Sequence, residues 1–200
     1  IHADVTDTTG ETRSDEYIVR AGYTALAAII GADAWQTLDK PVELTITTQS
    51  IDNQPEPAEG TVRIYTLKQP AKVIRPKMES TWRQPDPSNP DTWEPADLVS
   101  EHAFQTDAQG QAVLSVDLKA GIYRAILQTQ DRFGKSVSAR HTIHVVDPQA
   151  EHFGVNVANH FTAPKWSLEP GETFVALWGT GYDTGRAYVE LECRGELLRA

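Results

Sequence analysis

"GIYRAILQTQDRFGKSVSARHTIHVV", residues 121–146, decides the fold. On each side of Asp131-Arg-Phe-Gly134, β-branched and aromatic residues alternate with polar ones, the period of a strand with one face buried and one face wet. The group between them is a hairpin turn: Asp131 closes the first strand, and Gly134 supplies the left-handed backbone position that the reversal needs. Two long strands joined this tightly must be antiparallel neighbours. The same turn is written once more, 124 positions earlier, as "DTTGETR" at 7–13, followed by the strand-like "YIVRAG". Each copy reads as the last hairpin of a domain.

Working outward, strand signals recur in "VELTITTQSI" (42–51), "GTVRIYTL" (60–67), "QAVLSVDL" (111–118) and "RAYVELEC" (186–193). Turn formers separate them at Asp52-Asn53, Asp107-Ala-Gln-Gly110 and Ala120-Gly121. No amphipathic helix of ordinary length competes. Short strands at this spacing predict an all-β fold, an antiparallel β-sandwich of immunoglobulin or fibronectin-III type. Val42, Leu44, Ile46, Val62, Ile64, Tyr123 and Ala125 are expected to turn inward. One stretch breaks the rhythm: residues 68–100 hold 6 of the chain's 12 prolines together with Trp82 and Trp93. That density of proline forbids a central strand, so an inserted surface loop is expected, pinned to the sandwich by its tryptophans.

A second repeat marks where modules begin. "LDKPVELTITT" (38–48) and "LEPGETFVALW" (168–178) each place Leu and an acid before a Pro-containing turn and then launch a strand, 130 positions apart. Repeats at such a spacing predict tandem modules. Residues 1–22 are then the closing hairpin of one module, 23–148 a complete sandwich, and 149–200 a linker ("DPQAEHFG", 147–154) with the opening strands of a third.

The 200 residues carry 28 acidic and 18 basic side chains, a net charge of −10, which repels nucleic acid and anionic membrane surfaces. The longest apolar run, Tyr23 to Trp35, is too short and too interrupted to span a bilayer. The chain starts at Ile1 and shows no readable targeting signal. The single cysteine, Cys193, excludes an internal disulfide and sits in an alternating stretch as a small packed residue.

The closing "VTDTTGETRS", the opening "DKPVELTITTQSIDNQPEPAEGTVRIYTL" and the second opening "LEPGETFVALWGTGYDTGRAYVELECRGELL" together resemble the macroglobulin-like domains of bacterial α2-macroglobulin-family proteins, over essentially the whole chain. The resemblance implies a segment of a very large secreted or periplasmic protein that traps proteases. In that family a protease cuts a bait segment, the ring of modules rearranges, and many members capture the attacker through a Cys–Gln thioester. Cys193 lies in "LECRGE", outside any Gly-Cys-Gly-Glu-Gln-type sequence, so covalent trapping is assigned to no residue here.

Chemistry-bearing motifs are otherwise thin. His141 and His144 are three apart on a strand and point to opposite faces, and His152 and His160 flank the linker without a carboxylate at ligand spacing. "GTGYDTG" (179–185) lacks the following helix of a phosphate loop and reads as a hairpin turn into 186–193. Asp86, Asp91, Glu94 and Asp97 lack the pattern of a calcium loop. No nucleophile elbow or zinc-protease helix is present, so no catalytic residue, metal or cofactor is assigned. The expected partners are neighbouring modules and, through the full protein, proteases. Lys72, Arg75, Lys77 and Arg83 are the expected protease-sensitive positions of the loop, with bait function ranked behind a docked surface loop. The competing expectation is an adhesin or carbohydrate-binding module whose surface contact is made by Trp82 and Trp93.

Overall fold

The computed structural model describes residues 1–19, 21–76, 85–193 and 196–199. In chain order the strands are β1 (His2–Thr6), β2 (Thr12–Glu16), β3 (Leu26–Ala32), β4 (Val42–Ser50), β5 (Glu59–Leu67), β6 (Pro95–Gln105), β7 (Gln111–Val116), β8 (Gly121–Gln130), β9 (Ser136–Val145), β10 (His160–Thr162), β11 (Leu177–Gly179), β12 (Leu191–Cys193) and β13 (Glu196–Arg199). Among the described residues the only helical element is a single 3₁₀ turn, Pro90–Thr92, capped by the Asn89 side chain. Every strand ladder is antiparallel.

Strands β3 to β9 make two sheets, one ordered β3-β4-β7 and one ordered β6-β5-β8-β9. Their inner faces share one core: Ile30, Val42, Leu44, Ile46 and Val116 from the first sheet meet Val62, Ile64, Phe104, Ala125, Leu127, Ile143 and Val145 from the second. All seven residues expected to turn inward are buried. On β4 the period-two reading is nearly perfect, with Val42, Leu44, Ile46 and Thr48 buried at alternate positions. Thr48 is tolerated because its hydroxyl donates to Glu56 O at 2.7 Å and pairs with Thr106 Oγ1 at 2.8 Å, leaving no unsatisfied polar group at that end of the core.

The Asp-x-x-Gly turns fold as the sequence indicates, and three of them share one geometry. At 131–135, Gly134 N donates to Asp131 O and Asp131 N to Lys135 O, while Asp131 Oδ1 accepts from the amides of Phe133 and Lys135. The same four bonds form around Asp7 and around Asp107. The glycines take φ of +88° (Gly10), +68° (Gly110) and +77° (Gly134), a region open to glycine and costly for most other residues.

Three expectations change. The inserted loop is shorter than 68–100, because residues 95–105 form β6, paired along β5. As an edge strand β6 is exposed over most of its length and begins at a proline, and the alternation it shows, at Ser100, His102 and Phe104, rests on mostly polar residues. Strand β3 lies within the Tyr23–Trp35 run, where alanines blur the period. Within 186–193 only 191–193 is strand, and it pairs with β13, while β11 pairs with β10. The hairpin expected after "GTGYDTG" therefore does not form.

Among the described residues the hairpin β1–β2 pairs only with itself, in the register His2↔Glu16 to Thr6↔Thr12, and its side chains are exposed.

Candidate functional site: the seam after the sandwich

The start of β8 departs from alternation: Ile122, Tyr123, Arg124 and Ala125 are buried in succession. Tyr123 and Ala125 face the core between the sheets, so Ile122 and Arg124 must be covered on the other side of the sheet. Two pieces of chain provide the cover, the loop ahead of β6 and the segment that follows β9.

The loop is fastened by its own turns. Asp86 Oδ1 accepts from Ser88 N at 2.9 Å, Asn89 caps the 3₁₀ turn, and Trp93, 7% exposed, donates from Nε1 to Pro87 O at 2.8 Å. Beneath it the buried guanidinium of Arg124 donates to Pro90 O at 2.9 Å. Burial lowers the Arg124 pKa and nearby Asp91 opposes the shift. Asp91 in turn accepts the hydroxyl of Thr142 on β9. Trp93 thus acts as the expected pin and presents no open ring face for a ligand, whereas Trp82 lies outside the described residues.

The segment after β9 completes the seam. Val155 and Val157 join Leu67, Trp93 and Ile122 in a second apolar cluster, with Phe153 against its side. Asn156 is held by both ends of its polar inventory: its amide donates to Gln69 Oε1 at 2.8 Å and its side chain to Pro70 O at 2.9 Å. Ile74 and Val157 form a parallel bridge. From the far side Gly181 N donates to Val157 O at 2.9 Å. A Cβ on Gly181 would stand 2.3 Å from Val155 O, so the glycine is required by close backbone approach. Arg75 donates to the Tyr182 hydroxyl at 3.2 Å and lies 5.8 Å from its ring centroid. Thr162 Oγ1 reaches back to Ala34 O at 3.1 Å.

Three rings line the β9 side. His144 and His160 stack with centroids 4.8 Å apart and planes 6° apart, and Phe153 stacks on the other face of His160 at 5.1 Å and 5°. Burial, then the neighbouring His160, pushes the His144 pKa down to about 4, and burial lowers that of His160. Sequence reasoning placed His141 and His144 on opposite faces of the strand but gave no sign of His160 as the partner of His144. A crevice of about 420 Å³ opens beside the stack, lined by Val145, Glu151, Phe153, Trp178 and Tyr182.

Of the expected protease-sensitive positions, Lys72 and Arg75 are exposed at the rim of the seam, and Lys77 and Arg83 lie outside the described residues. Glu94 pairs with Lys68 at 2.9 Å. A second, open groove of about 1150 Å³ runs along the far end of the sandwich past Glu59, Gly60, Phe104 and Asp131. The Asp131 carboxylate there is already committed to the amides of Ala25, Phe133 and Lys135. Among the described residues no helix is long and apolar enough to cross a membrane. Compared with known proteins, the chain matches no family model and no curated protein.

Proposed function

We propose that this chain is a non-catalytic structural segment of a large, α2-macroglobulin-like protease-trapping inhibitor, working outside the cytoplasm, and that its task is to hold consecutive macroglobulin-like modules in fixed relation. The observation that carries the reading is the seam: Val155 and Val157 of the following segment pack with Leu67, Trp93 and Ile122 over the outer face of the four-stranded sheet, Asn156 is bonded to Gln69 and Pro70 of the loop, and Gly181 lets the segment close tightly on itself behind Val155. A passive linker needs none of these, whereas a joint that transmits a rearrangement from one module to the next does.

Tandem organisation has further support. Moving β3 and β4 on by the 130 positions that separate Leu38 from Leu168 gives windows 156–162 and 172–180, and β10 (His160–Thr162) and β11 (Leu177–Gly179) fall inside them and pair with each other. The two-sheet order β3-β4-β7 and β6-β5-β8-β9 suits a fibronectin-III-like module of such a protein.

The test uses the full-length protein. It is incubated with a panel of endoproteases, and hydrolysis of a large protein substrate is compared with that of a small peptide. A trap protects the large substrate and leaves the peptide exposed to cleavage. Equal hydrolysis of both substrates with and without the protein, for every protease, refutes the reading.

A further inference from the structure

We propose that the seam is a pH-sensitive joint, held closed by neutral His144 and His160 and released when the pair takes up protons. This deepens the reading of the seam as a mechanical joint and rests on it, though not on protease trapping.

The geometry is that of a latch across two bodies of chain. His144 belongs to β9 of the sandwich, while His160 and Phe153 belong to the segment that follows, so the stack is a contact between the two. His144 Nδ1 and His160 Nε2 are buried and have no hydrogen-bond partner among the described residues. A proton added at either nitrogen creates a buried donor without an acceptor, and protons on both place two cations face to face. Neither charge is tolerated by a closed seam; both are solvated once it opens.

The surrounding groups set the balance. From the 3₁₀ turn Asp91 attracts a proton toward His144, and it is the carboxylate that opposes opening. From β10 His160 repels a charge on His144, and so does His141 from β9 itself. From β8 Arg124 repels a charge on His141, whose pKa burial lowers most. On His144, one carboxylate thus stands against two imidazoles. The direction follows: histidines whose pKa is lowered in the closed form take up protons on opening, so their contribution to closure is full above pH 6.5 and is lost as pH falls toward 4. A metal clip is a poorer use of the same rings. Their lone pairs lie in nearly parallel planes and do not converge, and the described residues hold no group of three or more metal-ligating side chains.

Release concerns the seam and spares the sandwich. Ile143 and Val145, the neighbours of His144 on β9, point into the inter-sheet core, whereas His144 lies on the outer face.

The experiment is NMR on the full 200-residue chain between pH 7.5 and 4. Expected are imidazole titrations of His144 and His160 well below 6.5. Over the same range, amide exchange at Asn156, whose bond to Gln69 crosses the seam, should accelerate at least tenfold after correction for intrinsic rates while Ile64 and Leu127 keep their protection. The doubly substituted chain, His144→Phe with His160→Phe, preserves stacked rings without protons and should keep its seam amide protected at pH 4.5. Titration of both rings near 6.5 in the unsubstituted chain overturns the proposal, whether or not the double variant folds. So does a tenfold loss of seam protection that persists in the folded double variant. Protease protection by the full protein is measured at neutral pH, so failure here leaves the proposed function standing.

Discussion

The turns at 7–11 and 131–135 are local copies with different surroundings. Each closes the same four hydrogen bonds around an aspartate and a left-handed glycine. Around Asp7, however, all the carboxylate's partners come from its own turn, led by the Thr9 hydroxyl at 2.6 Å. Asp131 is buried, and its second oxygen accepts the amide of Ala25 from a segment 106 positions earlier, at 2.9 Å. Lys135 adds a donation to Tyr23 O at 2.7 Å and a cation–π contact with the Tyr23 ring at 4.1 Å. Four residues are enough to specify a turn; they do not specify what the turn is fastened to.

The third copy, at 107–111, is the most confined and gives the largest expected effect. A Cβ on Gly110 would stand 2.1 Å from Thr48 O, in addition to the strain at φ +68°. Gly110→Ala should therefore destabilise the sandwich by at least about 3 kcal/mol in urea denaturation. A loss below about 1 kcal/mol would mean that the β4–β7 end of the core yields more readily than its hydrogen bonds suggest.

Gly134 has the same handedness and open space around it, with nothing within 4 Å of a Cβ. Gly134→Val should cost about 1–3 kcal/mol from backbone strain alone. Gly10→Val carries equal strain at φ +88°, but it sits in a hairpin that pairs only with itself. Its effect on sandwich denaturation should stay within about 0.5 kcal/mol, and the damage should register instead as lost strand chemical shifts in 2–16. Equal losses from both valines would sink the distinction drawn here.

The aspartates give the smallest and most selective comparison. The Ala25 amide, followed by those of Lys135 and Phe133, holds the Asp131 carboxyl below its ordinary range, and Thr9 does the same for Asp7. A carboxylate lowered on folding stabilises the protein above its unfolded pKa of about 4 and loses that contribution as pH falls through the folded value. Asp131→Asn should flatten the acid limb of sandwich unfolding below pH 4, and Asp7→Asn should leave it unchanged. Following thermal unfolding at half-unit steps of pH separates the two; an unaltered acid limb in Asp131→Asn would mean the Ala25 contact contributes nothing.

The same contrast explains how much could be read in advance. Inner strands such as β4, and β8 beyond Ala125, announce themselves because burial on one face imposes period two on the residues. The glycine turns are legible because positive φ restricts the residue type. Strand β6 escaped because its first half is exposed on both faces, its alternation over 100–105 is carried mostly by polar residues, and its opening proline reads as a loop. The seam was harder still. Its glycines at 179 and 181 look like turn formers, yet they are required by atoms of Phe153 and Val155, which no local pattern connects to them. The stacking of His144 with His160 belongs to the same class, since nothing in either local sequence names the partner.

Strand β6 has one more consequence. It begins at Pro95, carries Asp97 and Glu101 along its length, and slips register against β5 around Tyr65. A proline withholds a donor, carboxylates resist burial, and irregular pairing bends the outer row of backbone groups away from straight alignment. Sandwiches strung on one chain keep their borders at permanently high mutual concentration, where a smooth border would invite cross-β aggregation between neighbours. In the tandem arrangement proposed above, the uneven border of β6 would let neighbouring modules lie side by side without zipping into one another.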